Sequence, residues 1–385
     1  MRALFPRQLI KAMGMAHKSG RSMMVHGQPG IGKSDLAKKY ADMIAPLTAE
    51  ERAAGKTNII DIRLSQMEPT DVRGIPVPVT DPETKQTTCV WAIPSMYPDA
   101  DFRGVMLFDE LNSAMPVVLA AAYQIILDHK IGDYVIPEEC FVMAAGNRDS
   151  DGGVTFTIPT PLRNRFIHVE MKVNLEHWME DFAIPARLHA DVISFLRGNP
   201  DVFNKFDPAD PSLAFATPRT WHFVSDLLKA NEEEMSDVDS ATVMYTLIGG
   251  TVGEGVAAQF RTFHQMTSKN PAPIDVLTGK VTTTQNKQAG AMYAMANKLA
   301  FQLAEFNDQV KAKELDKETY NKYANNFITF IDENYGDDHQ EIVIYGMKNA
   351  QKVGILFRQR DLPAMKKFVE RHGDLIQAAQ NITAR

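Results

Sequence analysis

Gly27-Gln28-Pro29-Gly30-Ile31-Gly32-Lys33-Ser34 is the stretch that decides the fold. Its pattern, G-x-x-x-x-G-K-S, turns backbone N–H groups inward around phosphate oxygens, and a Cβ at the glycine positions would obstruct that turn. Lys33 offers a point charge to the β- and γ-oxygens, and Ser34 a hydroxyl to Mg²⁺. The flanks agree. Ser22–His26 reads as a short buried strand, and Lys33–Ala45 as a helix with Leu36, Tyr40, Met43 and Ile44 on one face. Strand, loop and helix in that order are the setting this motif requires. Gly27, Gln28, Pro29, Gly30, Ile31, Gly32, Lys33, Ser34 and Asp35 are therefore expected to hold the phosphates of a nucleotide.

Outward from this stretch, the first ~170 residues alternate short apolar runs with helical ones, the pattern of a parallel α/β sheet. Strands are expected at Met23–His26, Asn58–Leu64, Val105–Phe108, Phe141–Ala145 and Phe166–Glu170. The middle three are nearly continuous apolar runs, as in strands covered on both faces. Two hairpins are expected within this α/β region. One lies in the Pro- and Thr-rich stretch Val72–Asp101, with its turn at Asp81-Pro82-Glu83-Thr84; the other is at His129–Glu139, turning near Gly132-Asp133. From about Met171 the strand signals stop. Helices are expected at Leu175–Arg197, Pro218–Asn231, Thr242–Met266, Ala289–Asn307, Glu318–Glu333, Gln340–Gln351 and Pro363–Ala379. The polar stretch Ser268–Gln288 reads as a linker.

Chemistry-bearing residues fall at strand ends. Val105-Met-Leu-Phe-Asp109-Glu110 is an apolar strand closed by two carboxylates. Asp109 suits Mg²⁺, and Glu110 suits the general base that deprotonates an attacking water. Asn147 ends the next strand and can hydrogen-bond that water or the γ-phosphate. Arg163 and Arg165 flank Asn164 just before the last strand, where in an extended segment they would share a face. Arginines there reach a neighbouring subunit's nucleotide more easily than their own, and one supplied in trans stabilises charge on the transferring phosphoryl group. Thr217 and Pro218 suit a helix start, which sets Arg219 at a helix N-terminus as a contact for the γ-phosphate.

In this order the motifs resemble those of AAA+ ATPases and, within them, the MoxR family in its midasin-related clade. Arg63–Pro76, Phe108-Asp-Glu-Leu-Asn112, Gln124–Lys130 and Ala145-Gly-Asn147 followed by Gly153 and Pro159 carry the likeness, which covers roughly residues 5–230. Leu162-Arg-Asn-Arg-Phe166 is similar to the midasin-type modules, whereas most MoxR proteins carry a single arginine there; Arg165 is the expected finger and Arg163 the alternative. The resemblance implies an AAA+ αβα P-loop core with a parallel sheet (residues 1–170), an α-helical lid (171–267), and beyond the linker (268–288) a C-terminal helical extension (289–385) that it does not cover. It also implies a homo-hexameric ring with ATP and Mg²⁺ between subunits, and the inserted hairpins at 75–92 and 130–139. Family members remodel or activate protein partners, often with a partner bearing a von Willebrand factor A domain. The alternative function is a nucleic-acid-associated motor or a restriction-type NTPase; a third is a nucleotide-switched scaffold with slow hydrolysis, which the intact Glu110, Asn147 and arginines disfavour.

Composition bounds these readings. The chain has 385 residues, 44% of them hydrophobic, and a formal net charge of −7, so nothing pulls it globally toward nucleic acid. The hairpin tip carries Asp81 and Glu83 against Lys85, unlike a loop that grips DNA phosphates. Cys89 and Cys140 are the only cysteines, which fits a reducing, cytoplasmic setting, and Cys140 reads as a buried small hydrophobe. No apolar stretch is long enough to span a membrane.

Overall fold

The computed structural model describes residues 2–132, 134–152, 156–231, 238–336, 338–355 and 362–383. They group into two compact units, Met1–Asn174 with Phe206–Pro211, and Leu175–Lys205 with Ser212–Arg385. The first is α/β; the second is helical.

The first unit runs β1 (Ala3–Leu4), α1 (Pro6–Lys18), β2 (Met23–His26), α2 (Lys33–Ile44), α3 (Ala49–Ala53), β3 (Ile59–Ile62) and α4 (Pro69–Arg73). It continues through β4 (Ile75–Thr80), β5 (Thr87–Ala92), β6 (Gly104–Phe108), α5 (Pro116–Asp128), β7 (Lys130–Ile131), β8 (Tyr134–Val135), β9 (Cys140–Gly146), α6 (Thr160–Arg163) and β10 (Ile167–Met171). A parallel sheet of order β1-β10-β2-β9-β6-β3 forms the centre. Side chains alternate between its faces. Met24, Met106, Phe108, Val142 and Ala144 pack on one side with Val118, Leu119, Ile125 and Ile126 of α5. Met23, Val25, Val105, Leu107, Phe141 and Met143 pack on the other with Leu9 and Met13 of α1 and Leu36, Ala37, Tyr40 and Ala41 of α2. Burial on both faces is why β6 and β9 read as unbroken apolar runs. Each such Leu, Phe or Met contributes roughly 1.5–3 kcal/mol.

Met43 departs from expectation: it is 60% exposed. At 100° per residue it sits about 90° from the centre of the stripe formed by Leu36, Ala37, Tyr40 and Ala41. The first hairpin pairs β4 with β5 from Ile75↔Ala92 to Thr80↔Thr87. Asp81 Oδ1 turns it by accepting the Glu83 and Thr84 N–H groups at 2.7 and 3.0 Å. The second hairpin pairs β7 with β8; Asp133 of its turn lies outside the described residues.

The second unit opens with α7 (Leu175–Trp178), which continues as a π-helical stretch at Met179–Ala183, then α8 (Ala190–Gly198), α9 (Pro218–Asn231), α10 (Val238–Val252) and α11 (Glu254–Thr267). α12 (Pro273–Leu277), α13 (Ala289–Ala312), α14 (Lys317–Tyr335), α15 (Gln340–Lys352) and α16 (Pro363–Thr383) follow. Two expected single helices are broken. Pro185, which lacks an N–H, falls in the turn between α7 and α8, and Gly253 at φ 91° separates α10 from α11.

The expected linker at 268–288 is instead packed structure. Val276 and Leu277 of α12 are buried. Asn286 bonds to Met266 O and Asn270 Oδ1, and Asn334 of α14 accepts the Thr284 N–H at 3.0 Å. Thr and Asn here satisfy backbone groups rather than keep a tether solvated. The expected lid and extension also share one unit. Fully buried Asn297 on α13 donates to Ser194 of α8 and accepts from Asn349 of α15 at 2.8 Å. Among the described residues no helix is long and apolar enough to cross a membrane.

Candidate nucleotide site

The glycine-rich loop leaves the C-terminal end of β2, between β10 and β9. Gly27 N–H donates to Gly146 O at 3.2 Å. A Cβ on Gly27 would lie 2.6 Å from Ile31 Cδ1 and 3.1 Å from Met171 O. Gly30 and Gly32 hold φ of 73° and 92°, a region where L side chains are strained. Lys33 and Ser34 then open α2, with Asp35 in its first turn, so the positive end of the helix dipole lies at the loop.

Three strands converge on this loop. Lys33 is 9% exposed, and its Nζ donates to Gly27 O at 2.7 Å, Gln28 O at 2.9 Å and Asn147 Oδ1 at 2.9 Å. Asn147 follows β9, the strand beside β2. Ser34 Oγ donates to Asp109 Oδ2 at 2.6 Å, and Asp109 follows β6, the next strand out. Asp109 Oδ1 accepts the Glu110 N–H at 2.9 Å. The two adjacent carboxylates thus differ in setting. Asp109 is buried and bonded on both oxygens, whereas Glu110 is exposed and sits in the left-handed region at φ 52°. A hydroxyl and a buried carboxylate side by side suit a hard cation that keeps water and phosphate as its other ligands. A loop that excludes a Cβ by contact at Gly27 and by φ at Gly30 and Gly32, with a lysine at its end, suits the phosphates. The residues present fit ATP with Mg²⁺.

No protein-family model matches the chain, and no curated protein is similar to it. Among solved structures the chain is similar to RuvB of Thermotoga maritima, at 16% identity over 83% of this chain and 87% of that one, TM-score 0.35. It is similar to a DNA polymerase III gamma subunit-related protein of Thermotoga maritima at 12% identity over 95% and 99%, TM-score 0.30. NtrX of Brucella abortus in complex with ATP matches at 13% identity over 79% of this chain and 64% of that one, TM-score 0.35. At this level of likeness the chemistry of the site rests on the chain's own residues.

The two arginines stand apart from the phosphate loop's hydrogen bonds. They were expected on one face of an extended segment; the structure places Arg163 at the end of α6 and Arg165 in the turn after it. Arg165 N–H donates to Leu162 O at 3.1 Å, and Phe166 N–H to Arg163 O at 3.4 Å, so the shared-face argument does not hold. Both side chains are exposed; Arg163 Nη2 meets Thr160 Oγ1 at 3.0 Å. Among the described residues no hydrogen bond or ion pair holds the Arg165 guanidinium. Arg219 is exposed in the first turn of α9 in the helical unit, where Thr217 Oγ1 accepts the Thr220 N–H at 3.2 Å as the expected cap. Gly153 lies outside the described residues.

Asn112 is a residue to which the sequence assigned no role. It is 3% exposed, and its Nδ2 donates to Asn147 O at 2.8 Å. Its Oδ1 would lie 2.6 Å from a Cβ on Gly146. It therefore ties the carboxylate turn to the tip of β9. Its signals were a polar side chain two residues past Glu110 and its place at the end of the Phe108–Asn112 run. Arg148, next to Asn147, is held by Asp151 at 2.8 Å and Glu170 at 3.2 Å. The hydrogen bonds it donates to the Asp151 carboxylate keep the Arg148 guanidinium more firmly protonated than usual.

Proposed function

We propose that this chain is a Mg²⁺-dependent ATPase of the AAA+ class. The observation that carries the reading is the pairing of Ser34 with Asp109 at 2.6 Å beside Lys33 on Asn147 at 2.9 Å. Elements from three neighbouring strands thereby meet at one phosphate loop. Lys33 and the loop N–H groups bind the phosphates; Ser34 and Asp109 hold the metal, which supplies charge neutralisation when bound. Glu110, exposed beside them, takes a proton from the attacking water, and Asn147 orients that water.

The exposed arginines support assembly of copies around shared sites, as in the homo-hexameric ring of MoxR-type proteins. In this reading Arg165, or Arg163, completes the neighbour's site, and Arg219 serves as a further γ-phosphate contact. The work done is remodelling or activation of a protein partner in the cytoplasm, one bearing a von Willebrand factor A domain. What supports a protein over nucleic acid is the hairpin β4–β5. Ile75, Val77, Val79 and Val90 are all exposed there, and the tip carries Asp81 and Glu83. Such an apolar strip suits a protein surface better than phosphates.

ATP turnover by the parent and by Glu110→Gln, with and without Mg²⁺, tests the core of this. The parent should hydrolyse ATP only with Mg²⁺, and the variant should bind ATP without turning it over. A Gln variant active at near the parent rate would remove Glu110 as the base. Stimulation of turnover by single- or double-stranded DNA would point to the nucleic-acid motor instead.

A further inference from the structure

His26 closes β2 and is followed at once by Gly27, where the phosphate loop begins; His168 is the second residue of β10. The parallel register sets Met24 beside His168 and Glu170 beside His26. The two imidazoles are therefore diagonal neighbours on one face of the sheet. Their rings stack at 25° with centroids 5.2 Å apart. His26 Nε2 lies 2.9 Å from His168 Nδ1, and His168 Nε2 lies 2.7 Å from Arg163 O.

The carbonyl decides which nitrogen holds each proton. A carbonyl oxygen only accepts, so His168 Nε2 donates. A neutral His168 then offers Nδ1 as an acceptor, and His26 Nε2–H donates to it. The bonds run one way, from His26 through His168 to Arg163. At Arg163 O the competing backbone bond, from Phe166 N–H, is 3.4 Å long. The imidazole at 2.7 Å is the shorter hold on the turn that carries both arginines. A cavity of about 620 Å³ lies beside the pair, lined by Asn112, Arg163, Asn164 and Glu170 among others. Glu170 faces Arg148 across a 3.2 Å ion pair, so its charge is met without the imidazoles.

We propose that His26 and His168 form a positioning relay that fixes the arginine turn to the strand opening the same subunit's phosphate loop. The proposal rests on the ATPase reading above and adds a coupling within each subunit. A change at one phosphate loop shifts His26, and through His168 shifts the arginine offered to the next site.

His168→Phe keeps the ring and removes both nitrogens; His168→Gln restores a donor near the Nε2 position. The first measurement is amide hydrogen exchange at Arg165 and Phe166, which needs no activity. His168→Phe should speed it about tenfold and His168→Gln should return it toward the parent. His26→Phe should speed it less, because the bond to Arg163 O remains. Parent rates in His168→Phe would overturn the relay, and parent rates in His26→Phe would overturn the tie to the loop. The second measurement is turnover. His168→Phe should lower kcat about tenfold or more, with KM for ATP within about twofold. Mixing it with Glu110→Gln subunits should restore turnover, because those subunits supply an intact arginine turn to its intact Glu110. A loss of kcat that persists after mixing would mean that His168 acts on its own site, against the proposal. If the parent itself hydrolyses no ATP, the ATPase reading fails while the exchange data still decide the relay.

Discussion

The two halves of the candidate site are built in opposite ways. The phosphate half is bonded within itself: Lys33 to three oxygens, Ser34 to Asp109, and Asn112 to the backbone of Asn147. The arginine half ends in exposed guanidinium groups, with His168 gripping the backbone behind them. A half whose lysine, hydroxyl and carboxylate already hold hydrogen bonds within it is preorganised, so its donors need little rearrangement when charge develops. A half that is exposed gains its meaning from whatever docks against it. The phosphate half should therefore govern binding, and the arginine half should govern rate.

The largest effect should come from Arg165→Ala, which should leave ATP affinity within about twofold while kcat falls about a thousandfold. If Arg163→Ala shows that loss and Arg165→Ala does not, the roles exchange and the comparison stands. Next comes Lys33→Ala. It removes a charge-assisted donor worth about 3 kcal/mol, so ATP affinity should fall about a hundredfold by equilibrium titration. Unchanged affinity would break the assignment of binding to this half. Asn112→Ala should act on a smaller scale. It strips the donor from Asn147 O, costing roughly 1–3 kcal/mol of stability and several-fold in kcat, measured by denaturant titration and steady-state rates. An effect on stability alone would make Asn112 a packing residue. The smallest effect is at the cysteines. Burial pushes the Cys140 thiol up to about 12, whereas Cys89 lies exposed on β5. Alkylation near pH 8 followed by mass spectrometry should mark Cys89 and spare Cys140 in the folded chain.

How legible each half was in the sequence follows the same division. The loop Gly27–Ser34 and the strands before Asp109 and Asn147 were readable because burial on both faces leaves unbroken apolar runs. Motif chemistry then falls at their ends. The two residues of β1 are too few to show any period. Asn112 and His168 were opaque for another reason. Their roles come from strand order and register, which bring Asn112 to Asn147 and His168 to His26 across long sequence separations. The arginine turn was misread as extended because Pro161 and Asn164 are as common in turns as before strands, and α6 is only four residues long. In the helical unit the polar stretch 268–288 passed for a linker. Asn270 and Asn286 look alike whether their partners are water or the backbone of α13 and α11.

On the proposed reading one chain supplies the phosphate half of a site and another supplies the arginine. Subunits carrying Arg165→Ala and subunits carrying Glu110→Gln test it most directly when their ATP turnover is measured separately and after mixing. Each alone should be inactive, and the mixture should regain a measurable fraction of parent turnover. Some boundaries then place an intact Glu110 against an intact Arg165. A mixture as inactive as its parts, with both variants shown to co-assemble, would contradict the account.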